Sequence, residues 1–122
     1  MGFSEAIKSV LSKYATITGR ASRSEYWYFY LFYILVYIGI SAVSAIIPFL
    51  LILSIVFAVA IFIPSITVSI RRLHDKNKSG WWLLISFIPL VGILVLLYWF
   101  VTAGTDGPNE FGADPLAHPE DV

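Results

Sequence analysis

Residues 26–70 read YWYFYLFYILVYIGISAVSAIIPFLLILSIVFAVAIFIPSITVSI, 45 residues without one charge, and this stretch decides the fold. A transmembrane helix needs about 20 apolar residues to cross about 30 Å of hydrocarbon. The run therefore holds two helices and a tight turn. Pro48 marks the turn, because proline removes a helical donor and its ring clashes with the preceding turn. The expected spans cover about 26–47 and 50–70, joined by a turn whose lack of polar residues suits the membrane interface.

The charges lie outside this run. Lys8, Lys13, Arg20 and Arg23 precede it; Arg71, Arg72, Lys76 and Lys78 follow it and precede a second uncharged stretch, 79–105. All eight basic residues of the chain fall in these two clusters. Because Lys and Arg in short flanking segments stay on the cytoplasmic side, the N-terminus and the 71–78 loop are expected inside.

The second stretch contains WWLLISFIPLVGILVLLYWFV, residues 81–101, with aromatic pairs at both ends. Seventeen residues separate Trp82 from Trp99, about 25 Å of helix and close to the spacing of the two interfacial aromatic belts. One span kinked near Pro89 accounts for this simply, and it places the C-terminus outside. A re-entrant hairpin turning at Pro89–Gly92 instead puts both aromatic pairs at one surface and returns the tail to the side of the basic loop.

The expected fold is thus an all-α integral membrane protein with about three transmembrane helices, the third Pro-kinked or re-entrant, preceded by a short amphipathic helix. Its organisation is an N-terminal amphipathic cytoplasmic segment (1–19), a transmembrane helical domain (20–103, with spans about 26–47, 50–70 and 81–101) and a turn-rich acidic tail (104–122). Composition agrees. Of the 122 residues 58% are hydrophobic and 13% charged, against roughly 25% charged in an average soluble domain. Mean hydropathy is +0.81.

The net charge of zero hides five of the eight acidic residues, Asp106, Glu110, Asp114, Glu120 and Asp121, in the tail. That distribution argues against nucleic-acid binding, whose footprint is a net basic surface. With no Cys there is no disulfide, thiolate metal site or Cys nucleophile. The first hydrophobic run starts near residue 26 and is too long for a signal-peptide core, so it reads as a retained anchor.

Before the first span, Phe3, Ile7, Val10, Leu11 and Tyr14 recur at helical spacing, which describes a short helix lying in the interface or packed on the loop. Gly19 ends it. Ser22-x-x-Glu25 then has the form of a capping box for the first span. Within that span Tyr26, Tyr30, Tyr33 and Tyr37 share one face, continued by Ser44. Buried phenols seek partners and lipid tails offer none, so the stripe is expected to face protein. Ser65, Thr67, Ser69 and the carbonyls freed by Pro64 are the candidate partners. Tyr26 and Tyr30 also suit the interfacial belt formed with Trp27 and Tyr28.

Three separated motifs stand together: GRASRSEYWYF at 19–29, RRLHDKNKSGWW at 71–82 and GTDGPNEFGADP at 104–115. Their combination resembles the YhaH-like bacterial inner-membrane family, a domain of unknown function, from about Gly19 to Pro115. The residues that carry the likeness are Gly19, Arg20, Arg23, Glu25, Tyr26 and Trp27 in the first motif. Arg71, Arg72, Leu73, His74, Asp75, Ser79 and Trp82 carry it in the second. In the third, Gly104, Thr105, Gly107, Asn109, Phe111, Gly112, Asp114 and Pro115 do so, while Glu110 stands where many relatives carry Arg. The resemblance implies a bacterial inner-membrane location and brings no established activity.

Arg20, Arg23, Arg71 and Arg72 gather at one cytoplasmic level, where guanidinium forks suit anionic headgroups as well as topology setting by snorkelling. Glu25 can pair with one of them, and Asp75 with a neighbouring Arg or Lys, leaving His74 at the interface. His74 and Asp75 are too few for a zinc site, and adjacent helical side chains do not face each other. No catalytic, metal or cofactor site is therefore expected.

The function that fits is a small non-enzymatic membrane interaction or assembly component. Its expected partners are anionic lipid and a second copy or larger membrane protein, with no nucleic acid. A subunit of an oligomeric transporter or channel is the alternative, weakened by the absence of ionisable residues from both hydrophobic runs. A membrane-bound enzyme using His74 and Asp75 is a further one. The tail reads as compact turns anchored by Phe111, loose after Pro115.

Overall fold

Ser22 caps the first long helix: its hydroxyl accepts from the backbone N–H of Glu25 at 3.3 Å and opens helix α2, Arg23–Ile46. Only half of the capping box forms, because the Glu25 carboxylate is turned to other partners. The structure is a computed structural model that describes residues 2–116. The loose end expected beyond Pro115 therefore lies, from Ala117 onward, outside the described residues.

Helix α1 (Phe3–Ser12) precedes α2, and helix α3 (Leu51–Asp75) follows it through a short 3₁₀ turn at Pro48–Leu50. At 1.5 Å per residue α2 and α3 are about 36 and 37 Å long, and both are apolar enough to cross a membrane. The motif at 71–75 is the last turn and a half of α3 rather than part of a loop, so Arg71, Arg72, His74 and Asp75 project from a rigid element. Among the described residues there is no strand, only an isolated bridge between Asn109 and Gly112.

Helix α1 packs on α2 through Ala6 and Val10, both fully buried, while Phe3 and Leu11 stay exposed and Tyr14 lies beyond the helix end. Val10 joins Ala21, Phe29, Ile61 and Val68 in one core cluster. Tyr14 then resolves the defect left by Pro64. Proline at 64 has no N–H, so the carbonyl of Ala60, four residues earlier, loses its helical partner, and the Tyr14 hydroxyl donates to it. The adjacent Thr67 hydroxyl donates to the Tyr14 carbonyl at 3.0 Å, closing the contact from the other side. Helix α3 continues through Pro64 without a break.

Residues 80–101 depart from the single kinked span. Gly80–Phe87 form a 3₁₀ segment, the chain reverses at Ile88–Leu90, and α4 (Val91–Val101) returns. Leu90 makes the reversal with φ +66° and ψ −63°, close to a γ-turn, and Val91 N–H donates to the Pro89 carbonyl at 2.7 Å. Gly92 lets the arms meet: a Cβ there would lie 1.6 Å from the Ile85 carbonyl oxygen. The rings of Trp82 and Trp99 consequently touch edge to face, centroids 5.6 Å apart, instead of marking opposite ends of a helix.

Pro89 interrupts the helical hydrogen bonds, as Pro64 does in α3 without breaking it, and here the turn at Leu90 and the missing Cβ of Gly92 complete the reversal. Helix α4 packs Leu96 and Phe100 onto Leu73 of α3, forming the second core cluster. The tail from Gly104 then runs back over the end of α3, on the side of Arg20, so within the described residues it does not leave by the opposite end of the helices.

Candidate functional site

The three sequence motifs converge where α3 ends. Asp75 sits at their centre, 4% exposed, with one carboxylate oxygen 3.0 Å from Nε and Nη2 of Arg20 and the other 2.7 Å from Nη1 of Arg72. Arg72, fully buried, spends its remaining donors on the end of α4: Nε and Nη2 lie 3.3 Å from the Phe100 carbonyl, and Nη2 also donates to Thr102. Arg20 spends its own on the tail, donating through Nη1 to Gly107 at 2.7 Å and Gly112 at 3.3 Å, and through Nη2 to Thr105 at 2.5 Å. One carboxylate thus holds two arginine forks, and each fork grips a different piece of backbone.

Backbone geometry completes the clasp. Thr105 N–H donates to the Asp75 carbonyl at 2.7 Å, and a Cβ on Gly104 would fall 2.1 Å from the Asp75 carboxylate. Only glycine passes there. The Asn109 amide donates to the His74 carbonyl at 2.9 Å, and Phe111 stacks on the His74 ring with centroids 4.1 Å apart and planes 2° from parallel. Asp114 closes the tail's own turn, accepting from Gly107 N–H and Leu116 N–H, each at 2.9 Å.

A second buried pair lies beside the first at the end of α3. Arg71 donates through Nη1 to Glu25 at 2.7 Å, and Ser9 of α1 donates to the same carboxylate oxygen at 3.0 Å, so α1, α2 and α3 meet there. Nε and Nη2 of Arg71 are buried without a hydrogen-bond partner among the described residues. Arg23 alone of the four candidate arginines is exposed, with one bond to the Val101 carbonyl at 3.2 Å.

Burial raises the Asp75 carboxyl above its ordinary value against the pull of Arg72 and Arg20, and burial likewise lowers the Arg72 guanidinium. Each charge is costly alone and tolerable only with its partners. Arg20, Arg71 and Arg72 turn inward and are buried within the chain. Glu25, His74 and Asp75 are buried with them. His74 and Asp75 serve separate partners: Nδ1 of His74 lies 2.9 Å from the Gly19 carbonyl, whereas Asp75 is held by arginine. Among the described residues no three His, Cys, Asp or Glu side chains cluster as metal ligands.

The tyrosine stripe stacks on itself. Tyr26–Tyr30, Tyr30–Tyr33 and Tyr33–Tyr37 have ring centroids 6.3, 6.1 and 6.5 Å apart, and Tyr33 also meets Phe57 of α3 at 5.8 Å. Of the hydroxyls expected as its partners, Thr67 donates to the Tyr14 and Pro64 carbonyls, while Ser65 and Ser69, like Ser44 on the stripe itself, donate to their own helix backbone. Ser44 bonds Ile40, Ser65 bonds Phe62 and Ser69 bonds Ser65, at 2.7, 2.8 and 2.7 Å. Such back-bonding satisfies a hydroxyl within one turn and needs no neighbour. Tyr37, 53% exposed, faces outward, while Tyr26, Tyr30 and Tyr33 line a cavity with Ser65 and Ser69.

The acceptors that grip Arg20 and Arg72 are backbone carbonyls of residues 100–112, which no residue type announces. Their only sequence signal is the run of Gly, Pro, Asn and Asp that shapes that backbone.

The chain is 44% identical to the inner membrane protein YhaI of Escherichia coli K12 over 108 residues, 88% of this chain and 92% of the relative. It is 38% identical to the inner membrane protein YhaH of the same organism over 119 residues, 90% of this chain and 95% of the relative. No solved structure matches it. Residues 14–113, which hold the first two motifs and all but the last two residues of the third, match one family over most of the chain, and the chain belongs to that family, described as Protein of unknown function (DUF805).

Proposed function

We propose that the protein is a small non-enzymatic component of the bacterial inner membrane that associates with itself or a larger membrane protein. In this reading α2 and α3 span, and the 80–101 hairpin enters from the cytoplasmic side and leaves by it. Its arms support that depth: eight 3₁₀ residues at about 2.0 Å and eleven α-helical residues at about 1.5 Å each reach about 16 Å, half of a core about 30 Å thick. The N-terminus, the basic loop and the tail then share the cytoplasmic face.

The observation that carries the assembly reading is how little of the two long helices is covered. Ile46 is 82% exposed, Phe49 72% and Val59 70%, although one chain supplies several neighbouring elements. Lipid covers such faces equally well, but two spans and a half-hairpin form no enclosed path, so a working unit needs further helices. Anionic headgroups meet the exposed Lys8, Lys13 and Arg23, and not the arginines locked in the clasp.

Extraction of the tagged full chain in mild detergent tests this directly. A defined oligomer or a stoichiometric membrane partner is expected on sizing and mass analysis. A lone monomer at every detergent concentration, with no partner recovered after cross-linking in intact membranes, defeats the assembly reading.

A further inference from the structure

A half-open cavity of about 1120 Å³ lies between α2, α3 and the 80–87 arm. Along α3 its wall extends from Ala58 to His74, sixteen residues or about 24 Å, so the space is long as well as large. Tyr33 and Phe87 belong to its apolar wall, and His74 and Ser79 stand at the end nearest the clasp. No Lys or Arg lines it among the described residues.

His74 gives that end a defined chemistry. The Gly19 carbonyl, 2.9 Å from Nδ1, can only accept, so Nδ1 carries the proton of the neutral ring. Nε2 is then a lone-pair acceptor, and no donor reaches it among the described residues. The Phe111 stack fixes the ring plane. The Ser65 and Ser69 hydroxyls, further along the wall, give their protons to their own helix.

We propose that this cavity binds one long-chain amphiphile whose head is an O–H donor, an alcohol or a carboxylic acid, received by Nε2 of His74 while its chain lies along α3. A phosphate head lacks a cation here, and a head without a donor leaves Nε2 unmet. An alcohol and a carboxylic acid both donate through their O–H. The proposal rests on the membrane reading only for the source of the amphiphile.

The test uses delipidated full-chain protein in detergent with ¹⁵N-labelled histidine, titrated separately with oleyl alcohol, oleic acid and methyl oleate. The alcohol and the acid are each expected to move the His74 Nε2 resonance, and the ester to bind at least tenfold more weakly. Ala58→Trp, which fills the far end, should weaken all three at least tenfold. His74→Phe keeps a ring to stack on Phe111 and has no hydrogen-bond acceptor, and should erase the preference for alcohol and acid over ester.

Equal binding of the three ligands to the native chain overturns the proposal, as does undiminished binding to Ala58→Trp. If His74→Phe does not fold, the ligand series on the native chain and the Ala58→Trp titration decide it. Failure here leaves the detergent assembly result untouched, so the two readings fall separately.

Discussion

At the scale of single residues, Arg71 and Arg72 are neighbours with the same charge and different work. Arg72 uses all three guanidinium nitrogens, on Asp75, Phe100 and Thr102, whereas Arg71 uses only Nη1, on Glu25. A lysine ammonium can replace one ion-pair bond but not a planar fork. Arg71→Lys is therefore expected to cost within about 1 kcal/mol, and Arg72→Lys on the order of 3 kcal/mol, because buried carbonyls lose their donors. Denaturant melts of both variants in detergent, followed by circular dichroism, measure the gap, and equal losses contradict it. Asp75→Asn goes further, removing the counter-charge of two buried cations, and is expected to cost about 3–5 kcal/mol in the same assay.

At the scale of elements, the hairpin and the tail each carry a local device. Leu90 holds a positive φ of +66° that suits glycine, and its side chain is 70% exposed, so it gains little from packing. Leu90→Gly should stabilise the hairpin by about 1 kcal/mol, read as a raised melting temperature, whereas Gly92→Val should disrupt it, since a Cβ there meets the Ile85 carbonyl. In the tail, the backbone N–H groups of Leu116 and Gly107 hold the Asp114 carboxyl below the usual carboxylate range. A depressed acid stabilises the folded turn above its unfolded pKa, about 3.9, and that contribution disappears as pH falls through the lower folded value. The Gly107 amide resonance should therefore shift toward a released position only below about pH 4. Asp114→Asn should remove that transition.

At the scale of the whole molecule, the sequence carried the partition and left the assembly open. The charge-free run at 26–70 announces two spans because no soluble core needs 45 such residues. The run at 81–101 was ambiguous, since aromatic pairs about 25 Å apart along a helix suit two belts as well as one, and only the Ile85–Gly92 approach separates the two arrangements. The inward turn of Arg20 and Arg72 was equally hidden, because their acceptors are backbone carbonyls set by the tail's path. That path now constrains topology: Arg20 holds Thr105 and Gly107, and Asp75 holds Thr105, so the tail cannot occupy the opposite side of a bilayer from the first two motifs without breaking every one of those bonds. The chain contains no Cys, which makes single-cysteine mapping clean. Lys13→Cys and Glu110→Cys, both exposed, are expected to react with an impermeant maleimide from the same, cytoplasmic face, and Phe49→Cys, in the turn between the long helices, from the other. Labelling of Glu110→Cys from the face that labels Phe49→Cys requires the 80–101 segment to cross the membrane, and with it the separation of the clasp into halves that never meet.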